Sequence, residues 1–336
     1  MVMKVRRLLR NYILNCLLLA LLASLGTSCS RKKWETEVEQ ITLPYAGKGR
    51  LDGVLVDQAG RIHIVGGDRH ERNDFYQSDD NGLSWQLFHY NAELYSNKAI
   101  YSIAAYDNKV YCGSFDGKMF KQTGMSNNDW QLGLGDSWWY SFTGIGFTPS
   151  GTGFAAGNRG FELGIIVKFS QDLQLQQVDS FPFAINDVAF VNEQVGYAVG
   201  YGALLQTRDA GNTWQQLNLT DDNYRALFVI DQDNIWTVGF NGTIAHITKD
   251  GTAFKKVKNG QNPLSNTDRY IDITFLGGQG YIVGEKGVVL STVDSGKNWK
   301  KMKKFTREDL HAVAFNPLDH TVFFVGNNHA AFRYRP

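Results

Sequence analysis

Three aspartates in near-identical settings are the first candidates for chemistry. Ser78-Asp79-Asp80-Asn81-Gly82-Leu83-Ser84-Trp85, Thr207-Arg208-Asp209-Ala210-Gly211-Asn212-Thr213-Trp214 and Thr292-Val293-Asp294-Ser295-Gly296-Lys297-Asn298-Trp299 share the pattern S/T-x-D-x-G-x-x-W. A carboxylate at such a turn accepts nearby backbone N–H bonds, the glycine permits positive φ, and the tryptophan supplies a large apolar body. Asp80, Asp209 and Asp294 therefore read as turn-building residues, as do Ser78, Gly82, Trp85, Thr207, Gly211, Trp214, Thr292, Gly296 and Trp299. The run Asp79-Asp80-Asn81-Gly82 lacks the ligand spacing of a calcium loop. A glycosidase would need two carboxylates at a defined separation, which here could come only from scattered residues such as Asp68, Asp116 and Glu285. His70 stands among acids, but no second histidine lies at ligand spacing. The sequence thus assigns no catalytic residue, no metal and no cofactor.

Arginine and aromatic side chains are the stronger candidates for binding, because they anchor interfaces and sugar platforms. Arg69 and His70 lie in Asp68-Arg69-His70-Glu71-Arg72-Asn73-Asp74, which reads as the longest insertion between a second and a third strand. Trp138, Trp139 and Tyr140 precede the third repeat, Arg159 follows its repeat glycine, and Phe181-Pro182-Phe183 precedes the fourth. Arg225, Arg269 and Arg307 stand just before the opening strands of later repeats, which places them on one rim. Ion pairing with Asp222, Asp268 and Glu308 beside them is the equal alternative to partner contact. Packing of the tryptophan pair between repeats is the alternative to exposure.

The elements that must carry these residues repeat about every 43 positions. Small apolar residues followed by glycine recur at Val65-Gly66, Cys112-Gly113, Ala156-Gly157, Val199-Gly200, Val238-Gly239, Val283-Gly284 and Val325-Gly326, spaced 47, 44, 43, 39, 45 and 42 residues apart. Each unit opens on an alternating strand such as Ile185-Asn186-Asp187-Val188-Ala189-Phe190 and continues into Gly196-Tyr197-Ala198-Val199-Gly200. A third strand follows a second glycine (Gly202, Gly242, Gly287), and the polar turn then delivers its tryptophan. This period suits the four-stranded blade of a β-propeller. Thr248-Lys249-Asp250-Gly251-Thr252-Ala253-Phe254 is a decayed turn, Asn128-Asp129-Trp130 keeps only the end, and Ser170-Gln171-Asp172 lacks the tryptophan. The last unit, from Leu310 to Tyr334, has three strands. Trp34-Glu35-Thr36-Glu37-Val38-Glu39-Gln40-Ile41 is its expected fourth, which would close a seven-bladed ring through the two chain ends over residues 34–336 and leave no open edge.

Composition agrees with an all-β chain: 35 glycines and 13% aromatic residues stand against 6 prolines among 336 residues. A formal charge of +1 and 20% charged residues argue against both disorder and a nucleic-acid surface. Residues 1–28 form a different segment. Lys4, Arg6, Arg7 and Arg10 precede the apolar run Tyr12 to Leu25, an export signal rather than a spanning helix. Leu25-Gly26-Thr27-Ser28-Cys29 resembles the lipobox of bacterial lipoproteins, with its leucine one place early. The resemblance implies acylation of Cys29, a tether over 29–33, and a place in the cell envelope, periplasm-facing or on the outer membrane. Removal of the signal takes the formal charge from +1 to −3. Cys112 is then left without a disulfide partner and is expected to be buried.

The polar turns resemble the Asp-box of BNR-repeat propellers. Combined with the strands at Gly196 to Trp214 and Gly280 to Trp299, they look like the Ycf48 group of photosystem II assembly factors over essentially the whole mature chain. That resemblance implies a non-enzymatic scaffold that holds a protein partner, a membrane protein or an assembly intermediate, on its loop-rich face. Sialidases share blade and box but carry an Arg-x-Pro motif that this chain lacks. A glycan-binding or glycan-hydrolysing propeller is the alternative, since the fold does not fix the activity.

Overall fold

The computed structural model describes residues 38–45, 49–88, 98–124, 129–134, 139–218, 222–248 and 268–336, together with the backbone of 253–258. Val38–Pro336 forms one compact unit of seven four-stranded antiparallel sheets among the described residues. Blade 1 comprises Arg50–Val56, Ile62–Asp68, Arg72–Ser78 and Gln86–Phe88; blade 2 comprises Ile100–Tyr106, Lys109–Ser114, Met119–Gln122 and Trp130–Leu132. Blade 3 comprises Ser141–Phe147, Gly153–Arg159, Leu163–Phe169 and Leu175–Phe181; blade 4 comprises Ile185–Phe190, Gly196–Gly200, Ala203–Thr207 and Gln215–Leu217. Blade 5 comprises Tyr224–Asp231, Asn234–Gly239, Ile244–Thr248 and Ala253–Lys258; blade 6 comprises Tyr270–Leu276, Gln279–Gly284, Val289–Thr292 and Lys300–Lys301.

Blade 7 holds Leu310–Phe315, Val322–Gly326 and Ala331–Tyr334, and the expected closure is present, since its outer strand is Val38–Gln40. Val38 pairs with Tyr334, Glu39 with Arg333 and Gln40 with Phe332. The strand is shorter than the sequence pattern suggests, and Trp34 lies outside the described residues. The innermost strand of each blade packs on that of the next, and Arg50–Val56 packs on Leu310–Phe315 to complete the ring.

The hydrophobic core is divided into seven clusters, each filling the space between two neighbouring blades. Second strands such as Gly196–Gly200 are buried along their whole length, so they read as continuous apolar runs where the half-exposed first strands alternate. Cys112 is fully buried in the cluster between blades 1 and 2, and burial pushes its thiol pKa far up.

The polar turns also join blades. Asp209 accepts from Thr213 N (2.9 Å), Thr213 Oγ1 (2.7 Å) and Thr207 Oγ1 (2.8 Å), while Thr207 Oγ1 accepts from Gly211 N (2.9 Å). Asp80 and Asp294 repeat this pattern with Ser84 and Asn298. These bonds favour the ionised form and hold both carboxyls down to about 2. Trp214 packs on Phe154 of blade 3 as well as on Phe190 of its own blade, and Trp299 on Trp236 of blade 5. The tryptophan therefore seals the gap to the preceding blade. In blade 3, which lacks the tryptophan, the turn is the tighter Ser170–Gln174 with buried Leu173 at φ 58°.

Two expectations are corrected here. In blade 2 the position of the repeat glycine is held by Ser114, which pairs with Ile100, while Gly113 stands one residue earlier opposite Ser102. Gly113 is small because a Cβ there would lie 2.6 Å from Ser102 Oγ. The segment Asp68 to Asp74 is not a long loop. Its ends are strand, with Asp68 paired to Arg72, and only Arg69, His70 and Glu71 turn.

Candidate functional site

Seven β-bulges build the lining of the channel. The first strand of every blade skips one residue in its pairing with the second, between Leu51 and Gly53, Ile100 and Ser102, Phe142 and Gly144, Ile185 and Asp187, Tyr224 and Ala226, Tyr270 and Asp272, and Leu310 and Ala312. A bulge re-aims the extra side chain. The residues so displaced are Asp52, Tyr101, Thr143, Asn186, Arg225, Ile271 and His311, and all seven line one central cavity of about 1010 Å³.

Polar groups in this ring fasten neighbouring blades. Ser102 Oγ donates to Phe142 O (2.9 Å) and Thr143 Oγ1 to Asn186 O (2.8 Å). Asp187 accepts from Val188 N and, across the blade boundary, from Leu227 N, both at 2.8 Å. Asp272 does the same with Ile273 N and with Val313 N of blade 7 (2.8 and 2.9 Å). The walls desolvate both carboxyls, raising Asp187 to about 7 and Asp272 to about 6 against the lowering effect of those N–H bonds. A carboxyl with a raised pKa in a channel is a catalytic candidate. Here, however, each has one oxygen tied to its own strand and the other to the next blade, and the groups act as staples.

The raised pKa has a consequence for stability. The unfolded chain ionises these groups near pH 4, whereas the folded chain holds the protons until pH 6 to 7. Their contribution is therefore fully present below pH 4 and is lost as pH rises through 7. Asp187→Asn should flatten the fall in melting midpoint between pH 4 and 7, measured by circular dichroism. An unchanged slope would show that Asp187 is already ionised in the fold.

Above the ring, the mouth on the face opposite the polar turns collects guanidinium groups backed by aromatic rings. Arg50 lies 4.4 Å from the Tyr101 ring, Arg69 is 5.0 Å from Phe115, and Arg225 and Arg269 flank Phe240 at 5.1 and 5.5 Å. Arg50 pairs with Asp52 (2.8 Å) and Arg269 with Glu285 (3.2 Å). Arg69 bonds instead to Tyr101 OH (3.1 Å) and Arg225 to Asn186 Oδ1 (3.0 Å), and these two, like Arg159, have no carboxylate partner among the described residues. Arg225 Nε has no hydrogen-bond partner among the described residues. Burial, and then the nearby charge of Arg50, lower Arg225 to about 10. Trp139 (77% exposed), Phe161 and Tyr201 add exposed rings on the same face, the latter two 5.3 Å apart.

Most of the sequence candidates meet at this mouth, with corrections. Arg69, Trp139, Arg159 and Arg225 line the cavity, Arg225 half-buried inside it rather than on the rim. Arg269 leans over Phe240 at its border, and His70 sets its ring edge-on to Phe115 at 5.3 Å. Tyr140 packs into the core between blades 2 and 3, and Trp138 lies outside the described residues. The neighbouring acids are committed elsewhere: Asp222 accepts from Asn241 N, Asp268 pairs with Lys301 and Glu308 accepts from Asn328. Asp116 and Glu285 line the mouth, held by Lys118 and Arg269, whereas Asp68 does not. Phe115 and Phe240 were missed, because a hairpin tip leaves no periodic signal; Arg50 was missed although it stands before Leu51 as Arg269 stands before Tyr270.

The family model described as photosynthesis system II assembly factor YCF48 matches residues 165–265 and 226–310. None of the curated proteins matches the chain in sequence. Among solved structures, virginiamycin B lyase from Staphylococcus aureus is 11% identical with a TM-score of 0.71, covering 89% of this chain and 98% of its own. YCF48 from Cyanidioschyzon merolae is 13% identical at 0.65, with coverage of 89% and 98%. A YCF48 bound to D1 peptide is 15% identical at 0.66, with coverage of 89% and 97%. One fold thus serves a lyase and an assembly factor, and the fold alone does not choose between them.

Proposed function

The chain is a Ycf48-like propeller of the Asp-box repeat type, and from that premise we propose that it is an exported, lipid-anchored scaffold that captures a protein partner without catalysis. The carrying observation is the mouth of the channel, where Arg69, Arg159 and Arg225 have no carboxylate partner among the described residues, Arg69 and Arg225 stand over half-buried Phe115 and Phe240, and Trp139, Phe161 and Tyr201 expose their rings on the same face. Guanidinium groups without a carboxylate of their own, beside flat apolar neighbours, suit an acidic peptide segment, whose carboxylates they bind as a fork and whose side chains the rings cover. The YCF48 solved with D1 peptide supports this reading, as one propeller of this fold that holds a peptide. The stapled state of Asp187 and Asp272 argues against the glycan-hydrolysing alternative.

Crosslinking capture from membranes tests the proposal. Trp139→Ala with Arg159→Ala, both exposed at the mouth, should weaken capture by about 2 kcal/mol or more, the range of interface anchors, with no change in melting midpoint. Undiminished capture places the binding surface elsewhere. In the same preparation Cys29→Ser should move the protein out of the membrane fraction, since a multiply acylated terminus is the proposed anchor. Retention of that variant in high salt counts against the anchor.

A further inference from the structure

Six cations crowd the outer edge of blade 6 and the connection to blade 7. Lys297, Lys300, Lys301, Lys303, Lys304 and Arg307 are all exposed. Only Lys301 has a carboxylate partner among the described residues, Asp268 at 3.0 Å. Edge strands commonly carry lysine as a guard against edge-to-edge pairing, but that accounts only for Lys300 and Lys301. The other cations lie beyond the strand, and the outer strands Gln86–Phe88, Trp130–Leu132, Leu175–Phe181 and Gln215–Leu217 contain no lysine. The neighbouring outer strand of blade 5, Ala253–Lys258, adds Lys255, Lys256 and Lys258 in sequence. This concentration occurs on a chain whose formal charge without its first 28 residues is −3.

Two further observations point the same way. Val293, at the tip of the polar turn that leads into this edge, is 78% exposed. The chain enters the propeller at Val38, in the outermost strand of blade 7, the next blade round the ring. Cys29 lies nine residues upstream of Val38 in the sequence.

We propose that the outer edge of blade 6 docks on an anionic phospholipid bilayer, with the lysines against the headgroups and Val293 at the interface. The orientation rests on the proposed acylation of Cys29, which would deliver this edge to the membrane. Basic residues beside an anionic surface add their attractions, and a neighbouring apolar tip supplements them. The disc then stands on its edge. Its channel mouth opens along the membrane plane, where it can meet an extramembrane segment of a membrane-embedded partner.

The test uses the unacylated propeller from Ser30 to Pro336, which holds every described strand and all seven interblade cores, so its outcome does not depend on Cys29. It should co-sediment at low salt with phosphatidylcholine vesicles containing about a third phosphatidylglycerol, and not with phosphatidylcholine alone. Joint Lys300→Glu, Lys301→Glu, Lys303→Glu and Lys304→Glu substitution should lower the vesicle affinity about a hundredfold or more. Lys109→Glu on blade 2 should leave it unchanged, and a retained melting midpoint certifies the fold of both variants. Equal binding to neutral vesicles, or undiminished binding by the fourfold variant, overturns the proposal. So does capture of an acidic protein by this edge without any binding to phosphatidylglycerol. A missing acyl mass on the mature chain would be a separate failure, of the anchor alone.

Discussion

Removing residues 30–43 should cost roughly 3–6 kcal/mol and lower the urea midpoint accordingly, the range for losing two fully buried aliphatic side chains. Ile41 and Leu43 belong to the cluster that joins blades 7 and 1, beside Leu51, Tyr76 and Phe323. Ile41 N donates to Ala331 O at 2.8 Å, and Arg333 of the third strand binds Glu39 and Asn81 O. Without Val38–Gln40 the strand Ala331–Tyr334 would become an open edge, so the truncated chain should also self-associate. The rest of that cluster, including Leu51, Tyr76 and Phe323, still joins blades 7 and 1, together with the pair between buried Asp74 and His329 (3.0 Å) and Arg72 donating to Asp74 at 2.7 Å, so the loss is partial. A midpoint unchanged by the deletion would refute closure through the chain ends.

Gly200→Ala should destabilise by about 3 kcal/mol or more, whereas Gly202→Ala, two residues on, should cost about 1 kcal/mol. The two glycines of Gly200-Tyr201-Gly202 are present for different reasons. A Cβ on Gly200 would lie 1.8 Å from Ala184 O, the carbonyl just before the first strand, and backbone cannot yield cheaply. Gly284 and Gly326 show the same approach to Arg269 O and Asp309 O, at 1.9 Å each. Gly202 has open space around its Cβ position but φ +64°, so only the conformation is costly. Equal losses in the two variants, read from equilibrium unfolding, would show that close approach is not what selects glycine at the end of the second strand.

The arrangement of staples around the channel was invisible in the sequence. The position after each bulge is Gly53, Ser102, Gly144, Asp187, Ala226, Asp272 and Ala312 in order round the ring. The even blades carry a polar group that reaches into the following blade, and the odd blades carry a small residue. A Cβ on Gly144 would sit 2.4 Å from Asp187 Oδ1, so the small residue also makes room. Strict alternation cannot run round seven blades. It fails between blades 7 and 1, the seam that the N-terminal strand and the Asp74–His329 pair close.

By itself the sequence determined the blade period, the number of blades, the polar turns and the joining of the two ends. Each of these is written in local residue order, as alternation, glycine and the Ser/Thr-Asp-Gly-Trp spacing, and each blade needs them again. It also named most of the side chains at the channel mouth, because arginines and aromatics in connections stand out against a repeating background. Only the tertiary structure decided how those side chains are used. Arg225 reads as a rim residue, yet a bulge turns it into the channel against Asn186 and Phe240. Asp187 reads as one polar position in an alternating strand, yet closure of the ring brings Leu227 N onto its carboxylate. Partners about forty residues apart meet only when neighbouring blades pack side by side, and no local pattern records which atoms face each other across that gap.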